Sequence, residues 1–216
     1  MEIINLGSHN SIFNQFIAEI RDEKIQKDSM RFRRNCERLG EIFAYEISKK
    51  LVYEEQEVTT PLGVSNIKLI KEQPVLSTIL RAGLPVHQGL LNYFDKSDNS
   101  FVSAYRKHNK DGSFDIELEY LASPDLTGRT IILSDPMLAS GASIVVTYKA
   151  LLQKGAPKKL HIVILIASTL GLDYVKRHLP ENTTIWVGAI DEELTAQSYI
   201  VPGLGDAGDL AFGSKE

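Results

Sequence analysis

The chain has 216 residues, which suits one α/β domain with an appendage better than two equal domains. Hydrophobic residues make up 43% and charged residues 24%, an ordinary globular composition that excludes disordered and fibrous classes. Lys and Arg number 24 against 28 Asp and Glu, giving a net charge of −4. This balance argues against a general coat of nucleic acid or anionic membrane, so an anionic ligand would need a local site.

The segment Met1–Ile20 lacks the basic start and apolar run of a signal peptide. Instead Ile12, Phe13, Phe16, Ile17 and Ile20 recur at three and four residues and predict a helix. Asp28-Ser29 can cap a second helix, with Phe32, Cys36, Leu39, Ile42 and Phe43 as its apolar stripe. Cys36, the single cysteine, cannot form an internal disulfide; it reads as a small buried hydrophobe and suits a reducing cytoplasm. Arg31, Arg33 and Arg34 read as a solvated helix face. Tyr53–Thr60 and Val64–Ile70 then read as two strands around the Pro61-Leu62-Gly63 turn.

From Pro74 the texture changes. Val75–Leu80 is a short apolar strand ending at Arg81-Ala82-Gly83, and a helix follows over Leu84–Tyr93. Phe101–Tyr105 reads as a strand ending at Arg106. Lys107–Gly112 reads as a mobile surface loop, and Phe114–Leu121 as a hairpin or flap strand. Three further strands, Thr130–Leu133, Leu160–Ala167 and Thr183–Ile190, alternate with helices over Ile144–Lys154 and Leu172–Leu179. Apolar runs without alternation imply strands buried on both faces, hence a parallel sheet with helices on either side. The longest such run, Ile162–Ala167, falls far short of the about 20 residues a membrane span needs. Ligands of such sheets bind at the carboxyl ends of strands, so Arg81, Arg106 and Asp135, each read as following a strand, point to one crevice.

The loop Asp135-Pro136-Met137-Leu138-Ala139-Ser140-Gly141-Ala142-Ser143 joins a buried strand to a helix. Small residues admit a ligand close to the backbone. The Ser140 and Ser143 hydroxyls, with N–H groups opening the helix, suit an anion. The same pattern fits an ordinary helix cap. The Walker A lysine and the second glycine of a Gly-x-Ser-x-Gly hydrolase elbow are both missing. Near the carboxyl terminus, Gly203, Gly205 and Gly208 match the dinucleotide fingerprint formally. Pro202 precedes them and only eight residues follow, so a glycine-rich loop exposing main-chain groups to a flat polar ligand is the better reading. A disordered tail is the alternative, against which Ile200, Val201 and Leu204 argue for packing. The five histidines show no metal-ligand spacing, and Trp186, in a strand, reads as core.

Three segments, Ile79–Leu84, Asp135–Ser143 and Tyr199–Gly213, resemble the uracil phosphoribosyltransferases in residues, order and separation, and the likeness runs from about Arg31 to the end. The resemblance implies a type I phosphoribosyltransferase fold: an α/β, parallel sheet flanked by helices, with a small hood. The single domain would have its core at about 74–195 and a hood built from about 1–73 and 196–216. It implies transfer of phosphoribose from 5-phospho-α-D-ribose 1-diphosphate to uracil, giving UMP and diphosphate. By motif matching, Asp135 through Ser143 would hold the ribose and its 5-phosphate, and Arg81 and Arg106 the diphosphate. Ile200, Gly205, Asp206 and Ala207 would contact uracil, with Asp206 also near the ribose donor and the candidate for taking the uracil N1 proton. The family also implies Mg²⁺ carried mainly by the substrate, activation by GTP in some members, and a homodimer or larger assembly.

Three departures stand out. Ala142 replaces a usual glycine, at a cost of about 1 kcal/mol if the position needs a positive φ. Lys107–Asp111 lacks the usual acidic loop sequence, and Leu210 stands where a basic residue is common. A nucleotide-sensing regulatory module of the same fold, and a transferase for another base, are the alternatives.

Overall fold

The structure is a computed structural model that describes residues 1–108 and 114–214, with the side chains of residues 104–108 and 114–118 outside that description. It opens with β1 (Glu2–Asn5), a strand that the sequence pattern does not announce because four residues are too few to show a period. Ser11 caps α1 (Ile12–Arg21) by accepting the Phe13 N–H, and the predicted apolar positions Phe13, Ile17 and Ile20 are buried. Asp28 caps α2 (Ser29–Ser48) as read from sequence, accepting the Arg31 N–H at 3.1 Å. Next come β2 (Tyr53–Thr60) and β3 (Gly63–Ile70), a separate antiparallel hairpin.

The core follows with β4 (Val75–Leu80), α3 (Leu84–Tyr93), β5 (Asn99–His108), β6 (Phe114–Ala122) and β7 (Thr130–Ser134). Then come β8 (Met137–Leu138), α4 (Ala142–Leu151), β9 (Lys159–Ser168), α5 (Thr169–His178) and β10 (Thr184–Asp191). The chain closes with β11 (Glu193–Leu194), β12 (Ile200–Val201) and the short α6 (Ala207–Phe212).

The main sheet has the order β1-β10-β9-β7-β4-β5-β6, with β8 pairing β9. Its pairs are parallel except β5 with β6, which run antiparallel. β9 explains why a parallel sheet forms: after Lys159 every residue of the strand is buried, so both faces need a helical cover. One face carries α1, α2, α3 and α6, which bring Phe13, Phe32, Phe43 and Leu90 against Leu76, Val163 and Trp186. The other carries α4 and α5, packing Ile144, Tyr148 and Val175 against Leu133, Ile162 and Ile164. Trp186 and Cys36 are core residues, as expected, and burial pushes the Cys36 thiol far up, leaving it protonated and inert.

Several boundaries differ from the sequence expectation. β1, grouped with the hood by sequence, pairs with β10 in the main sheet. β5 extends to His108, so Arg106 lies inside a strand rather than directly after one. β4 pairs with β5 only as far as Leu80 and Ser103, so the Arg106 backbone stands beyond the end of that pairing, opposite Ile116 of β6. The Arg106 side chain and residues 109–113 of the loop read as mobile lie outside the described residues.

Candidate active site

The site is built at the carboxyl ends of β4 and β7. β7 ends at Ser134 and passes Asp135 to a loop fastened along the neighbouring strand. The Asp135 N–H donates to the Val163 carbonyl at 3.1 Å, and the Pro136 carbonyl accepts from Leu165 and Ile166 at 3.1 and 3.0 Å. Met137 and Leu138 then pair with Ile166 and Ala167 as β8. Ser168 Oγ donates to the Ala139 carbonyl at 2.6 Å and accepts the Gly171 N–H at 2.8 Å, so one hydroxyl both fixes the loop and caps α5. Residues 135–139 are thus fastened to β9 by the protein's own hydrogen bonds.

Gly141 is the pivot. Its φ is +81°, and a Cβ there would stand 2.9 Å from the Gly171 carbonyl oxygen. The helix begins directly after it, two residues earlier than the sequence pattern indicated, and has no side-chain cap beyond a 3.4 Å contact from the Ala142 N–H to Ser140 Oγ. Half-buried Ser140, Ala142 and Ser143 thus surround the positive end of a ten-residue helix. Ala142 is the first helical residue, and Ser198 is the only non-glycine with positive φ among the described residues. The strain feared at Ala142 falls on Gly141, which keeps its glycine.

β4 delivers the second segment. After the cis Leu80–Arg81 peptide, Gly83 is so close to the end of β7 that a Cβ there would lie 3.0 Å from the Ser134 oxygen. The Arg81 guanidinium does not stand alone in the crevice. It donates to the Gly213 carbonyl at 3.0 Å and lies 3.8 Å from Asp209, clamping the final helix. Its fork retains further donors for an anion.

The third segment is the glycine-rich tail, which is ordered by packing. Ile200 is buried and pairs with Leu194, and Leu204, Ala207 and Ala211 join the core. Gly203 has φ +54°, with its would-be Cβ only 2.1 Å from the Ile200 carbonyl oxygen. Gly205 has φ +93° and open space beside it. Asp206 then caps α6 by accepting the Asp209 N–H at 3.0 Å, so one of its oxygens is already engaged. The would-be Cβ of Gly208 comes 3.9 Å from Ala82, which joins tail and β4 loop. Leu210 packs against the core, which accounts for an apolar residue at that position.

Two residues that position the tail had no sequence signal. Arg21, at the end of α1, donates to both Asp191 oxygens at 2.8 Å and to the Gly203 carbonyl at 3.0 Å. Asp191, 8% exposed, also accepts the Gly203 N–H at 2.9 Å. Burial alone would push the Asp191 carboxyl up. The Arg21 hydrogen bonds, the Gly203 N–H and the Arg21 charge together outweigh it and hold the carboxyl below its ordinary value. Arg21 and Asp191 are 170 residues apart, beyond the reach of any spacing rule.

Residues 8–214 match the family model for uracil phosphoribosyltransferase. The chain is 56% identical to the uracil phosphoribosyltransferase of Porphyromonas gingivalis over the full length of both. The chain belongs to the uracil phosphoribosyltransferase family. It is also 37% identical to the enzyme of that name from Thermococcus gammatolerans, across 93% of this chain and 88% of that one. Among solved structures, the AQ2163 protein from Aquifex aeolicus superposes with a TM-score of 0.85 at 29% identity, covering 98% of both chains. The α/β fold and the transferase class expected from the three loops stand with this membership.

The basic residues on α2 are drawn inward or paired. Arg31 pairs with Glu19 at 2.8 Å, Arg34 with Glu37 at 2.7 Å, and Arg33 donates to the Ala211 carbonyl of α6 at 2.6 Å. The face read as solvated by sequence therefore includes a fastener for the tail.

Proposed function

We propose that the chain transfers the phosphoribosyl group of 5-phospho-α-D-ribose 1-diphosphate to uracil N1, releasing diphosphate and forming UMP in pyrimidine salvage. The observation that carries this reading is the convergence of the uncapped α4 N-terminus, the Arg81 loop and the ordered Ile200–Ala207 tail at one end of the sheet.

Substitution at the ribose C1 builds positive charge on the sugar while negative charge leaves with diphosphate. The protein's tasks are placement and neutralisation. In this reading Asp135 receives the ribose hydroxyls. The loop Pro136–Ser143 holds the 5-phosphate on hydroxyls and helix N–H groups, with Met137, Leu138 and Ala139 supplying backbone course rather than charge. Arg81 and Arg106 take the diphosphate with forked donors, and losing one such donor costs about 3 kcal/mol, or roughly 100-fold in rate. For Arg81 this means sharing the guanidinium between the anion and the tail carbonyl it already holds.

Backbone groups at Ile200 and Gly205 read the uracil edge, with Ala207 beside them. Uracil presents an acceptor at O4 and a donor at N3, and cytosine inverts both, so a rigid backbone reader leaves cytosine with buried unpaired groups. Asp206, whose carboxylate has acceptor capacity beyond its capping bond, is assigned the N1 proton. Among the described residues no group of three His, Cys, Asp or Glu can hold a metal by itself. In this reading Mg²⁺ enters on the substrate, where it would screen the diphosphate charge. GTP activation, a cytoplasmic location and a homodimer or larger assembly belong to the same reading. The β2–β3 hairpin supports self-association, since it exposes Leu62, Val64 and Ile67. No helix of the described residues is long and apolar enough to cross a membrane.

The test is incubation with radiolabelled uracil, phosphoribosyl diphosphate and Mg²⁺, with and without GTP, alongside cytosine, hypoxanthine and xanthine as competitors. UMP is the expected product. Its absence at every GTP concentration refutes the reading, and product from another base in preference reassigns the substrate.

A further inference from the structure

A recess of about 580 Å³ opens at the amino-terminal ends of β7 and β9, where none of the sequence motifs lies. The volume is in the range of small-molecule sites. Its walls carry Lys50 from the end of α2, Lys71 after β3, and Lys158 and Lys159 at the start of β9. Against these four lysines the lining holds one acid, Glu72, in a chain whose net charge is −4. Thr130, at the first position of β7, borders the recess, and Asp135 lies five residue steps further along, roughly 16 Å away.

The lysines are held by exposed partners: Lys50 by Glu2 at 2.6 Å, Lys158 by Glu72, Lys71 by Glu54 at 3.8 Å, and Lys159 by the Asn182 carbonyl. Glu2 and Glu54 do not line the recess. Solvent screens such pairs, so an anion that meets several ammonium groups at once can displace them at little cost.

His161 is 1% exposed and borders the same recess. Its Nδ1 accepts the Trp186 Nε1–H at 3.2 Å, which leaves the ring proton on Nε2. Burial, then the charges of Lys159 and Lys50, push its pKa down to about 4, so at neutral pH the ring is an uncharged donor fixed in place.

We propose that this recess is a second anion site, recognising a di- or triphosphate group through the four lysines and the His161 ring, with Leu51 and Val52 offering apolar wall to an attached nucleoside. It is separate from the transferase site and does not rest on the reading of that site.

Trp186 is the only tryptophan, is bonded to His161, and has Lys50 Nζ 5.8 Å from its ring centre, so its fluorescence responds to a charge bound in the recess, and Arg81→Ala separates that response from binding at the transferase site. The test titrates the protein at constant ionic strength with tripolyphosphate and, separately, with ATP. A saturable change in Trp186 emission is expected, weakened about tenfold by Lys159→Gln or Lys50→Gln and unchanged in Arg81→Ala. A response to both probes assigns recognition to the phosphates, and a response to ATP alone shows that the nucleoside adds contacts. A parallel NMR titration of the wild-type His161 ring needs no substitution and should saturate at the same concentration. No saturable change up to about 10 mM of either probe, an equal response in the lysine variants, or loss of the response in Arg81→Ala overturns the proposal.

Discussion

Replacing Arg21 with alanine tests whether the tail proposed to read the base is held from outside the site. The change removes both hydrogen bonds to Asp191 and the one to the Gly203 carbonyl, and leaves a carboxylate that is 8% exposed with only the Gly203 N–H. Breaking a fully buried pair costs about 3–5 kcal/mol. The Arg21 side chain is 21% exposed, so water replaces part of the loss and about 2–3 kcal/mol is expected from urea denaturation. The released tail carries Ile200 and Gly205 but not the α4 cradle, so the KM for uracil should rise on the order of tenfold to a hundredfold while that for phosphoribosyl diphosphate changes little. Arg21→Lys should restore only part of this, because an ammonium lacks the planar fork. The pH dependence has a definite sign. The Asp191 carboxyl is held below the ordinary aspartate value of 3.8, so its contribution is present above that value and lost as pH falls through the lower folded one. The stability gap between wild type and Arg21→Ala should therefore be constant near neutrality and close in acid. Unchanged stability, or equal loss of affinity for both substrates, would refute the reasoning.

Other outcomes follow from single positions. Arg106→Ala should lower turnover about 100-fold with an unchanged melting curve, and unaltered UMP formation would remove it from diphosphate binding. Gly141→Ala should destabilise by about 2 kcal/mol and raise the KM for phosphoribosyl diphosphate, since a φ of +81° and the 2.9 Å approach to the Gly171 carbonyl both oppose a side chain. Ala142→Gly should cost up to about 1 kcal/mol in denaturation, because that position is helical here. His161, with a pKa pushed from 6.5 to about 4 chiefly by burial, contributes stability that is complete above pH 6.5 and lost as pH falls toward 4. That limb, about 3 kcal/mol at full extent, should be missing from the pH–stability profile of His161→Asn.

The sequence by itself determined the strands and helices of the core, since continuous apolar runs and capping residues such as Asp28 act over a few neighbouring positions. It also determined the three loops, because small residues and glycines there answer local demands of backbone approach and positive φ, and these gave the family directly. It did not reveal β1 or α6, which are too short for a period to show. Only the tertiary structure decided where strain falls: at Gly141 rather than Ala142, because the helix starts earlier than its apolar pattern. It alone placed Arg81 on the tail, joined Arg21 to Asp191, and gathered four lysines around His161 at the far end of the sheet. Charge pairing and recess formation depend on distances between segments far apart in the chain. The net charge of −4 is accordingly compatible with the two proposed anion sites, at α4 and the Arg81 loop and at the lysine recess, set at opposite ends of one mostly parallel sheet.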